Sequence, residues 1–343
     1  MVTMRDIAKH AGVSVATVSH VLNSSRRVGA ERKERILRAI EELNYVPNAV
    51  ARGLRVRETR TLGLILPDIT NPFFPELAKA CEEMAQSLGY AVNMINTNDL
   101  EGRMAGAVTQ IREARVDGLI ITSAAEGNKV LLSKLVQEGY PMVLVHRRIQ
   151  GVAVDTVVAD NFTGGYSAAR HLLSLGHTRI AMLTGVAHSP VIMKRLEGYM
   201  KAMQDAGVTI QPEWVTSGYG KYELSFHATE NLMRLPESKR PTAMIASNDI
   251  SALGVMDAAE HLGICIPEEL SLVGFDDLFF SAMKAVQLTT VRIPRYEMGQ
   301  MATRLLIDRI SRSGPPHPIE MVLPTTLIIR KTCGATNNTF ISK

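Results

Sequence analysis

The sequence predicts an α/β protein that joins a helical N-terminal headpiece to a larger core of doubly wound parallel sheets in two lobes. Apolar residues follow helical spacing through the first part of the chain and are interrupted by a turn at Gly12. From residue 61 onward, short apolar segments alternate with longer amphipathic ones, as in parallel sheets covered by helices. These units fill roughly 280 residues, too many for one doubly wound sheet, so we expect two sheets with a cleft between them.

The headpiece begins with a short helix and a turn. Thr3 stands three residues before Asp6, a spacing suited to capping a helix start. Ile7 and Ala8 supply the apolar stripe of this helix. Gly12 then supplies a turn position that tolerates positive φ.

A second helix is predicted to begin at Ser14. Val18, Val21 and Leu22 have the i, i+3, i+4 spacing of one inward face. Two short helices joined at Gly12 in this way have helix-turn-helix geometry. The outward face of the second helix presents Val15, Ala16, Ser19 and His20.

A third amphipathic helix, Ala30 to Leu43, closes the headpiece and ends at Tyr45-Val46-Pro47. A short helical stretch follows at 48–55. The predicted domains are the three-helix headpiece (1–46), a short helix and linker (47–60), the two-lobed core (61–332) and a flexible tail (333–343).

Strands and helices alternate through the predicted core. The strands are at 61–66, 91–96, 118–122, 142–145, 156–159, 179–184, 242–246 and 270–274. The helices are at 75–88, 102–114, 127–138, 162–175, 190–206, 223–234, 249–262 and 295–311. Two late segments, Leu288–Ile293 and Ile319–Leu323, are expected to cross back between the lobes.

Basic residues are concentrated near the N-terminus. Residues 1–60 carry 12 Lys or Arg against 6 Asp or Glu, while the whole chain has a net charge of +4. A basic module on a near-neutral body is typical of a protein that neutralises nucleic-acid phosphates with one end. The alternative is an ordinary helical domain with a solvated charged face.

The composition disfavours several other classes of protein. Cys81, Cys265 and Cys333 are widely spaced and show neither a disulfide framework nor a metal-ligand pattern, so we expect no metal and no cofactor. No apolar run approaches the roughly 18 residues of a membrane span, and the polar N-terminus lacks the apolar centre of a signal peptide. We therefore expect a cytoplasmic protein that does not bind a membrane.

Short motifs recur along the chain in a fixed order. They are VSxxTVSxVLN (13–23), LNYVPN (43–48), NPFF (71–74), VDGLI (116–120), LGHTRI (175–180), SND (247–249) and VGFDD (273–277). Together they resemble the lactose repressor family (LacI/GalR) of bacterial transcription regulators over residues 3 to about 332. The resemblance implies a periplasmic-binding-protein-like core with a small-molecule effector between its lobes, and a homodimer that binds a pseudo-palindromic operator in double-stranded DNA.

The resemblance also assigns DNA contacts in the headpiece. Small apolar side chains can meet a thymine methyl, and an imidazole can donate to a guanine acceptor in the major groove. The alternative for Val15 is packing inside the headpiece. The implied base contacts are Val15, Ala16 and His20, and the implied phosphate contacts are Ser14, Thr17, Ser19 and Asn23.

Residues 48–55 resemble the family's hinge helix, which folds on DNA when two copies pack together in the minor groove. Leu54 is the implied wedge between base pairs, with Arg52 and Arg55 beside it as groove or phosphate contacts. An operator centre that deforms easily, such as a pyrimidine-purine step, would suit the wedge. The alternative is that Leu54 is only the last apolar residue of a linker.

For the cleft, the resemblance implies an effector site made of two aromatic walls and several polar groups. Carboxylates and a forked guanidinium suit vicinal hydroxyls or an acidic group. The alternatives are a core position for Phe74, a helix cap for Asp160 and a turn position for Asp276. The implied effector-binding residues are Phe73, Phe74, Arg147, Asp160, Arg195, Tyr219, Asn248 and Asp276.

Two departures from the family pattern bear on the effector. His146 precedes Arg147 where relatives commonly have Asp, and with Arg148 beside them it favours an anionic effector such as a sugar acid or sugar phosphate. A neutral sugar is the alternative. Gly218–Tyr222 stands where relatives often present an aromatic platform, which Tyr219 or Tyr222 would replace.

A ligand-responsive repressor is therefore the predicted function, weighed against two other classes. An extracytoplasmic sugar-binding protein would share the two-lobed body, but it would need a signal peptide and would lack the headpiece. An enzyme acting on a sugar would need a catalytic constellation, and the sequence shows none. A phosphocarrier protein as an additional partner stays open. The tail lacks a leucine heptad, which favours a dimer over a tetramer.

Overall fold

The computed structural model describes residues 2–22, 28–45, 58–100, 102–186 and 189–334. The chain divides into two compact units, Met1–Thr59 and Arg60–Lys343. Most of the predicted short helix and linker, and most of the predicted tail, lie outside the described residues. Within the described ranges, no helix is both long and apolar enough to span a membrane.

The first unit holds three helices, α1 (Met4–Ala11), α2 (Val15–Leu22) and α3 (Ala30–Glu42). Thr3 caps α1, because its N–H donates to the Asp6 carboxylate at 2.8 Å and its hydroxyl accepts from the Asp6 N–H at 3.4 Å. Gly12 follows with a φ of 62°, which glycine adopts without strain. The predicted capped helix and turn are confirmed.

A small apolar core holds these helices together. Ile7, Val18 and Ile36, one from each helix, are fully buried. Val21 and Leu22 are partly buried against them, as the spacing on α2 predicts. The opposite face of α2 therefore lies outside this core.

The first lobe of the second unit is built on an entirely parallel sheet, whose strand order is β11-β5-β4-β3-β1-β2. Helices α4 (Phe73–Ser87), α5 (Arg103–Glu113), α6 (Lys129–Gln137) and α11 (Arg295–Ile310) pack on it. The strands are β1 (Thr61–Leu66), β2 (Ala91–Asn96), β3 (Gly118–Ile121), β4 (Met142–Val145), β5 (Asp155–Ala159) and β11 (Glu320–Leu323).

The second lobe repeats this architecture in the strand order β12-β10-β9-β8-β6-β7, with only β12 antiparallel to its neighbour among the described strands. Its helices are α7 (Asn161–Ser174), α8 (Pro190–Asp205), α9 (Tyr222–Met233) and α10 (Asp249–His261). Its strands are β6 (Ile180–Thr184), β7 (Val215–Ser217), β8 (Ala243–Ile245), β9 (Ser271–Asp276), β10 (Thr289–Arg292) and β12 (Thr326–Ile328).

The central strands are near-continuous apolar runs, because a parallel sheet covered on both faces buries every side chain. Five of six residues of β1 and all four of β4 are buried. The predicted α/β class and the two doubly wound sheets are confirmed, and the predicted helices end within two residues of the observed ones. Strands β7 and β12 were not predicted, since each has only three residues and neither is fully buried.

The chain crosses between the lobes three times. It crosses at Asp160 between β5 and α7, at 293–294 between β10 and α11, and at 324–325 between β11 and β12. The Asp160 N–H donates to the Leu323 carbonyl at 2.8 Å, and the Thr325 hydroxyl donates to the Asp160 carbonyl at 3.2 Å. The two late segments, expected to cross between the lobes, instead lead to the crossings, because the chain crosses directly after β10 of the second lobe and directly after β11 of the first.

Helices α7 and α8 approach each other backbone to backbone. A Cβ atom on Gly165 would overlap the Arg195 carbonyl, and one on Gly198 would overlap the Phe162 carbonyl. Only glycine fits at these two positions. The close approach fixes the place at which Arg195, on α8, enters the space between the lobes.

Candidate functional site

The outward face of α2 carries the predicted base-contacting residues. Val15 is 40% exposed, and Ala16 is exposed as well. Val15 therefore lies at the surface of the headpiece and not in its core. Ser19 and His20 are half-buried on the same helix.

Two hydroxyl side chains define the start of α2. The Thr17 N–H donates to Ser14 Oγ at 3.2 Å, and the two hydroxyl oxygens lie 2.8 Å apart. A helix N-terminus favours phosphate, so Ser14 and Thr17 stand where a phosphate contact is expected. The remaining predicted DNA contacts, Asn23, Arg52, Leu54 and Arg55, lie outside the described residues.

A cavity of about 540 Å³ lies between the two lobes of the core. It is lined by loops that follow strands of both sheets, which is where ligands bind in α/β folds. The volume suits a small molecule. Seven of the eight predicted effector residues line this cavity: Phe73, Phe74, Arg147, Arg195, Tyr219, Asn248 and Asp276.

Asp160, the eighth predicted residue, is not brought to this cavity. Its carboxylate accepts the Thr163 N–H at 3.0 Å and caps α7. It borders a separate, smaller cavity of about 150 Å³ instead. The structure thus places Asp160 at the helix start that the sequence offers as its alternative position.

Arg195 is buried, with its side chain 3% exposed. Its Nε donates to the Asn161 side chain at 2.9 Å and its Nη1 to the Ser247 carbonyl. Its Nη2 reaches the Asp276 carboxylate at 3.4 Å. The guanidinium also lies over the Phe275 ring, 4.3 Å from the centroid. These contacts hold a planar fork in one orientation for a ligand.

Asp276 combines a buried carboxyl with a strained backbone. Burial raises the pKa of this carboxyl to about 6, although Arg195 and Arg295 oppose the shift. Its φ of 108° is unusual for a residue with a side chain. Arg295 donates to the Asp276 carbonyl and, at 3.1 Å, to the Asp277 carbonyl. Arg295 therefore stabilises the strained turn that presents the Asp276 carboxyl to the cleft.

Asn248 and Tyr219 lie on neighbouring turns of the second lobe. Asn248 caps α10 by accepting the Ser251 N–H at 2.7 Å, and its amide nitrogen donates to the Gly220 carbonyl at 3.2 Å. Tyr219 is 52% exposed and has a φ of 53°. The side chain of Asn248 thus holds the turn that carries Tyr219 to the cavity wall.

Two ion pairs flank the cavity. Arg147 binds Asp99 through both terminal nitrogens, at 2.6 and 3.0 Å, within the first lobe. Lys221 of the second lobe lies 3.2 Å from Asp68 of the first, so this pair bridges the cleft. A partly exposed pair of this kind contributes about 1 kcal/mol or less, so it can break when the lobes move.

The lining of the cavity is not cationic. In the described part of the lining, each Lys or Arg has a carboxylate partner, and Glu223 adds a further carboxylate. A ligand anion would therefore meet carboxylates without a spare cation to bind it.

His146 also lines the cavity, although it is not among the effector residues that the resemblance implies. Its ring centroid lies 4.7 Å from that of Phe73 and 5.9 Å from that of Phe74. Burial, followed by the charges of Arg147 and Arg195, lowers the pKa of His146 well below its usual value. The imidazole is thus neutral near pH 7, and its position at the end of an apolar strand was the signal that could have identified it.

The neutral state of His146 removes one basis for expecting an anionic effector. Arg148, the other neighbour invoked for that expectation, does not line the main cavity and binds Glu320 at 2.9 Å. Arg147 is already neutralised by Asp99. The cluster of basic residues in the sequence does not form a cationic wall in the structure.

Asp249, the first residue of α10, is a second buried group outside the predicted site residues. Its carboxylate accepts from the Leu278 N–H at 2.8 Å and from the Ser281 and Thr290 hydroxyls at 2.6 Å each. Burial, and then the neighbouring Asp276, raise its pKa to about 7. Asp249 thereby ties α10 to the segment that follows β9.

Two family models match the chain. One, described as bacterial regulatory proteins of the lacI family, matches residues 3–48. The other, described as periplasmic binding proteins and the sugar binding domain of the LacI family, matches residues 59–331. Together they cover both compact units.

Curated relatives and solved structures agree with this assignment. The HTH-type transcriptional repressor PurR of Histophilus somni (strain 129Pt) is 34% identical over 97% of this chain and 99% of its own. That of Aliivibrio fischeri (strain MJ11) is 36% identical over 90% and 92%. The lac repressor dimer bound to operator and the anti-inducer ONPF superposes with a TM-score of 0.87 at 28% identity, covering 97% of this chain and 99% of that one.

The transcriptional regulator CelR in its cellobiose complex is also similar, with a TM-score of 0.73 at 28% identity, covering 97% of this chain and all of that one. The motifs, the helix-turn-helix headpiece, the two-lobed core and the relatives thus point to one assignment. The chain belongs to the LacI family of bacterial regulatory proteins.

Proposed function

We propose that the protein is a transcriptional repressor that binds a pseudo-palindromic operator as a homodimer and responds to a small molecule held between the core lobes. The proposal rests on one observation, that the same chain has both the outward face of α2 and a ligand-sized cavity between the lobes of the core. The curated relatives named above are transcriptional repressors, and the similar lac repressor is a dimer on its operator.

The side chains on α2 suggest how sequence discrimination is divided. Val15 and Ala16 offer small apolar contacts suited to thymine methyl groups. Neither can make the paired hydrogen bonds that discriminate most strongly between bases. His20 and the proposed hinge wedge Leu54 therefore supply the larger share of specificity.

Exposed apolar side chains support the proposed dimer. Phe279 is 68% exposed and Met283 is 49% exposed, in and beside the short turn between β9 and β10. In the first lobe, Met94 is 49% exposed on β2, which is an edge strand of its sheet. Exposed apolar groups and open sheet edges are commonly covered by a partner, and a symmetric dimer would cover the same patches on both copies.

The charge balance of the cleft favours an uncharged effector with several hydroxyl groups. Asp276, Asn248 and the Arg195 fork offer acceptors and donors suited to vicinal hydroxyls. Phe73 and Phe74 offer apolar contacts for the face of a sugar ring. The similar CelR binds cellobiose, and a LacI family regulator from Enterococcus faecium, with a TM-score of 0.69, binds ribose.

We further propose that effector binding changes the spacing of the two hinge helices in the dimer. The three crossings and the Lys221–Asp68 pair allow the lobes to close or open around a ligand. Binding in the cleft and binding to DNA are then coupled reciprocally, typically by about 1 to 3 kcal/mol.

Selection of bound sites from random DNA tests the proposal. The full chain is used at about 150 mM salt, near physiological ionic strength, both alone and with a pooled library of sugars and metabolites. Ala16→Asp serves as the matched control, because it adds a charge to the exposed face of α2 and leaves the buried Val18 in place.

We expect a palindrome with an easily deformed centre that the Ala16→Asp variant does not enrich. Loss or gain of binding with the metabolite pool gives the direction of the effector response. Enrichment of the same palindrome by the Ala16→Asp variant, or no enriched sequence under either condition, would contradict the proposed repressor.

A further inference from the structure

Two buried nitrogen atoms without a hydrogen-bond partner lie on consecutive residues of the cleft wall. They are His146 Nδ1 and Arg147 Nε. In the described part of the chain, the other such side-chain atom is Ser123 Oγ, which does not line the cavity. Folded proteins leave few buried polar atoms unpaired. Two of them on consecutive residues that line a ligand-sized cavity are atoms that a ligand group could satisfy.

The backbone at His146 is strained in a way that fixes the imidazole. The Arg147 N–H donates to the Val145 carbonyl at 2.8 Å and closes a three-residue turn, in which His146 has a φ of 69°. The His146 N–H donates to the Val157 carbonyl of the neighbouring strand at 2.9 Å. Strain of this kind persists where surrounding structure enforces it, which is common at ligand sites.

The chemistry of the two nitrogens restricts the ligand group. Arg147 Nε carries a hydrogen and can only donate. In the tautomer with its hydrogen on Nε2, the neutral imidazole can only accept at Nδ1. A hydroxyl accepts and donates at once and so satisfies both atoms in this tautomer, whereas a carboxylate or a phosphate dianion only accepts.

The surroundings of His146 also favour a hydroxyl over an anion. The charged groups facing the imidazole are Arg147 and Arg195. Both are already paired, with Asp99 and Asp276 respectively. His146 Nδ1, which has no partner within the protein, is therefore a site for a neutral hydrogen-bonding group.

We propose that His146 is a specificity-determining residue that, together with Arg147, binds one hydroxyl of an uncharged polyhydroxylated effector. The Arg147 Nε–H donates to the hydroxyl oxygen, and the hydroxyl donates to His146 Nδ1. Phe73 and Phe74, which contact the His146 ring, pack against the apolar face of the same ligand. This inference rests on the proposed function, because it takes the interlobe cavity as the effector site.

Three substitutions at one position test which atom matters. In His146→Asn the amide oxygen takes a place close to that of Nδ1, in His146→Gln it lies nearer that of Nε2, and His146→Phe keeps a ring without nitrogen. Binding is measured by titration calorimetry with D-ribose, D-glucose and cellobiose as neutral probes. D-gluconate and D-glucose 6-phosphate serve as anionic probes, and hypoxanthine as an uncharged planar ring.

We expect at least one neutral sugar to bind the wild-type chain, with both anions weaker. His146→Asn should retain that affinity within about threefold. His146→Gln and His146→Phe should lose about tenfold or more in affinity, because the buried hydroxyl of the sugar then has no acceptor for its hydrogen. Wild-type affinity in His146→Phe, tighter binding of either anion, binding of hypoxanthine alone, or no binding of any neutral sugar would each overturn the inference.

A spectroscopic measurement separates a ligand contact from a merely structural role. In protein labelled with ¹⁵N at histidine, the Nδ1 resonance of His146 should be that of an unprotonated nitrogen and should shift when the bound sugar donates to it. A protonated Nδ1 in the complex would overturn the inference. Failure of the proposed repressor appears separately, as the absence of an enriched operator from a chain whose sugar binding is intact.

Discussion

At the scale of single residues, the second lobe buries two carboxyl groups in unlike surroundings. Asp276 faces two arginines, whereas the contacts of Asp249 come from two hydroxyls and one backbone N–H. Burial raises the pKa of both, to about 6 and about 7. Asp249 therefore holds a proton at pH values where an exposed carboxyl has lost it.

The contribution of Asp249 to the free energy of unfolding should consequently decrease as the pH rises from about 4 to about 7. The pKa of Asp249 is about 7 in the folded chain and near its ordinary value of 3.8 in the unfolded chain, so the folded state binds more protons across this window. The associated stability is present at the acid end and is lost as the pH passes through the folded pKa. Asp276 contributes to the free energy of unfolding with the same sign over a narrower pH range, because its pKa is raised only to about 6.

Asp249→Asn, which is neutral at every pH, should remove most of this dependence, on the order of a few kcal/mol. Urea unfolding followed by the fluorescence of Trp214, the single tryptophan and a buried residue of the same lobe, measures the effect. Glu237→Gln changes an exposed carboxylate of the second lobe and serves as the control. An unchanged pH profile in Asp249→Asn would contradict the assignment.

At the scale of elements, the contact between α7 and α8 determines the position of Arg195. The two helices approach so closely that backbone atoms replace side chains at the interface. Any displacement of α8 moves the guanidinium away from Asn161 and Asp276. The packing of α7 against α8 therefore determines the geometry of the cleft at Arg195.

Gly198→Ala should destabilise the second lobe by about 3 kcal/mol, because the added methyl forces the helices apart. Thermal unfolding measures the loss, and titration with the bound sugar should show weaker binding. Gly106→Ala provides the matched control: Gly106 lies within α5, and its added Cβ would meet open space. That change should be neutral or stabilising by up to about 1 kcal/mol. Equal effects of the two substitutions would refute the argument.

The proposed hinge helix gives a prediction that depends on DNA. Leu54→Ala should lower the affinity for the operator and leave effector binding intact, because the wedge offsets the unstacking of the base step it enters. Fluorescence anisotropy with labelled operator, at a fixed salt concentration, measures the loss. Normal operator affinity in this variant would show that Leu54 is not a wedge.

The elements differ in how far the sequence predicts them. Central strands such as β1 and β4 are predictable because burial on both faces leaves a continuous apolar run. The short edge strands β7 and β12 carry no such run, since hydrogen bonding to a neighbour, and not burial, makes them strands. Periodicity in a single chain does not contain that information.

The cleft shows a similar division. Phe73 and Asp276 stand in motifs, at 71–74 and 273–277, that identify them. The environment of Arg147 is set by Asp99, 48 residues earlier in the chain, and this pairing is visible only in three dimensions. For the same reason, the basic residues at 146–148 favoured an anionic effector in the sequence, although this wall of the cavity is neutral in the structure.

At the scale of the whole molecule, the apolar residues left at the surface of the core predict association. Phe279→Arg would place two like charges together in a symmetric interface, so the variant should sediment as a monomer at micromolar concentration. Its operator affinity should fall because one headpiece reaches only a half-site.

Val130→Arg is the matched control for this prediction. Val130 is 82% exposed on α6, outside the patches proposed for the interface. The variant should sediment as the wild-type chain does. A monomeric wild-type chain, or a dimeric Phe279→Arg variant, would contradict the proposed interface.

The triple crossing between the lobes also has a consequence for synthesis on the ribosome. The carboxylate of Asp155, at the start of β5, accepts hydrogen bonds from Arg309 and from the Ile319 N–H, which lie 154 and 164 residues later in the chain. At about 5 to 20 residues per second, the nascent first lobe waits roughly 10 to 30 s with an open sheet edge. The lobe that begins first is thus among the last parts of the chain to finish folding, and a stop codon late in the gene would leave its sheet unclosed.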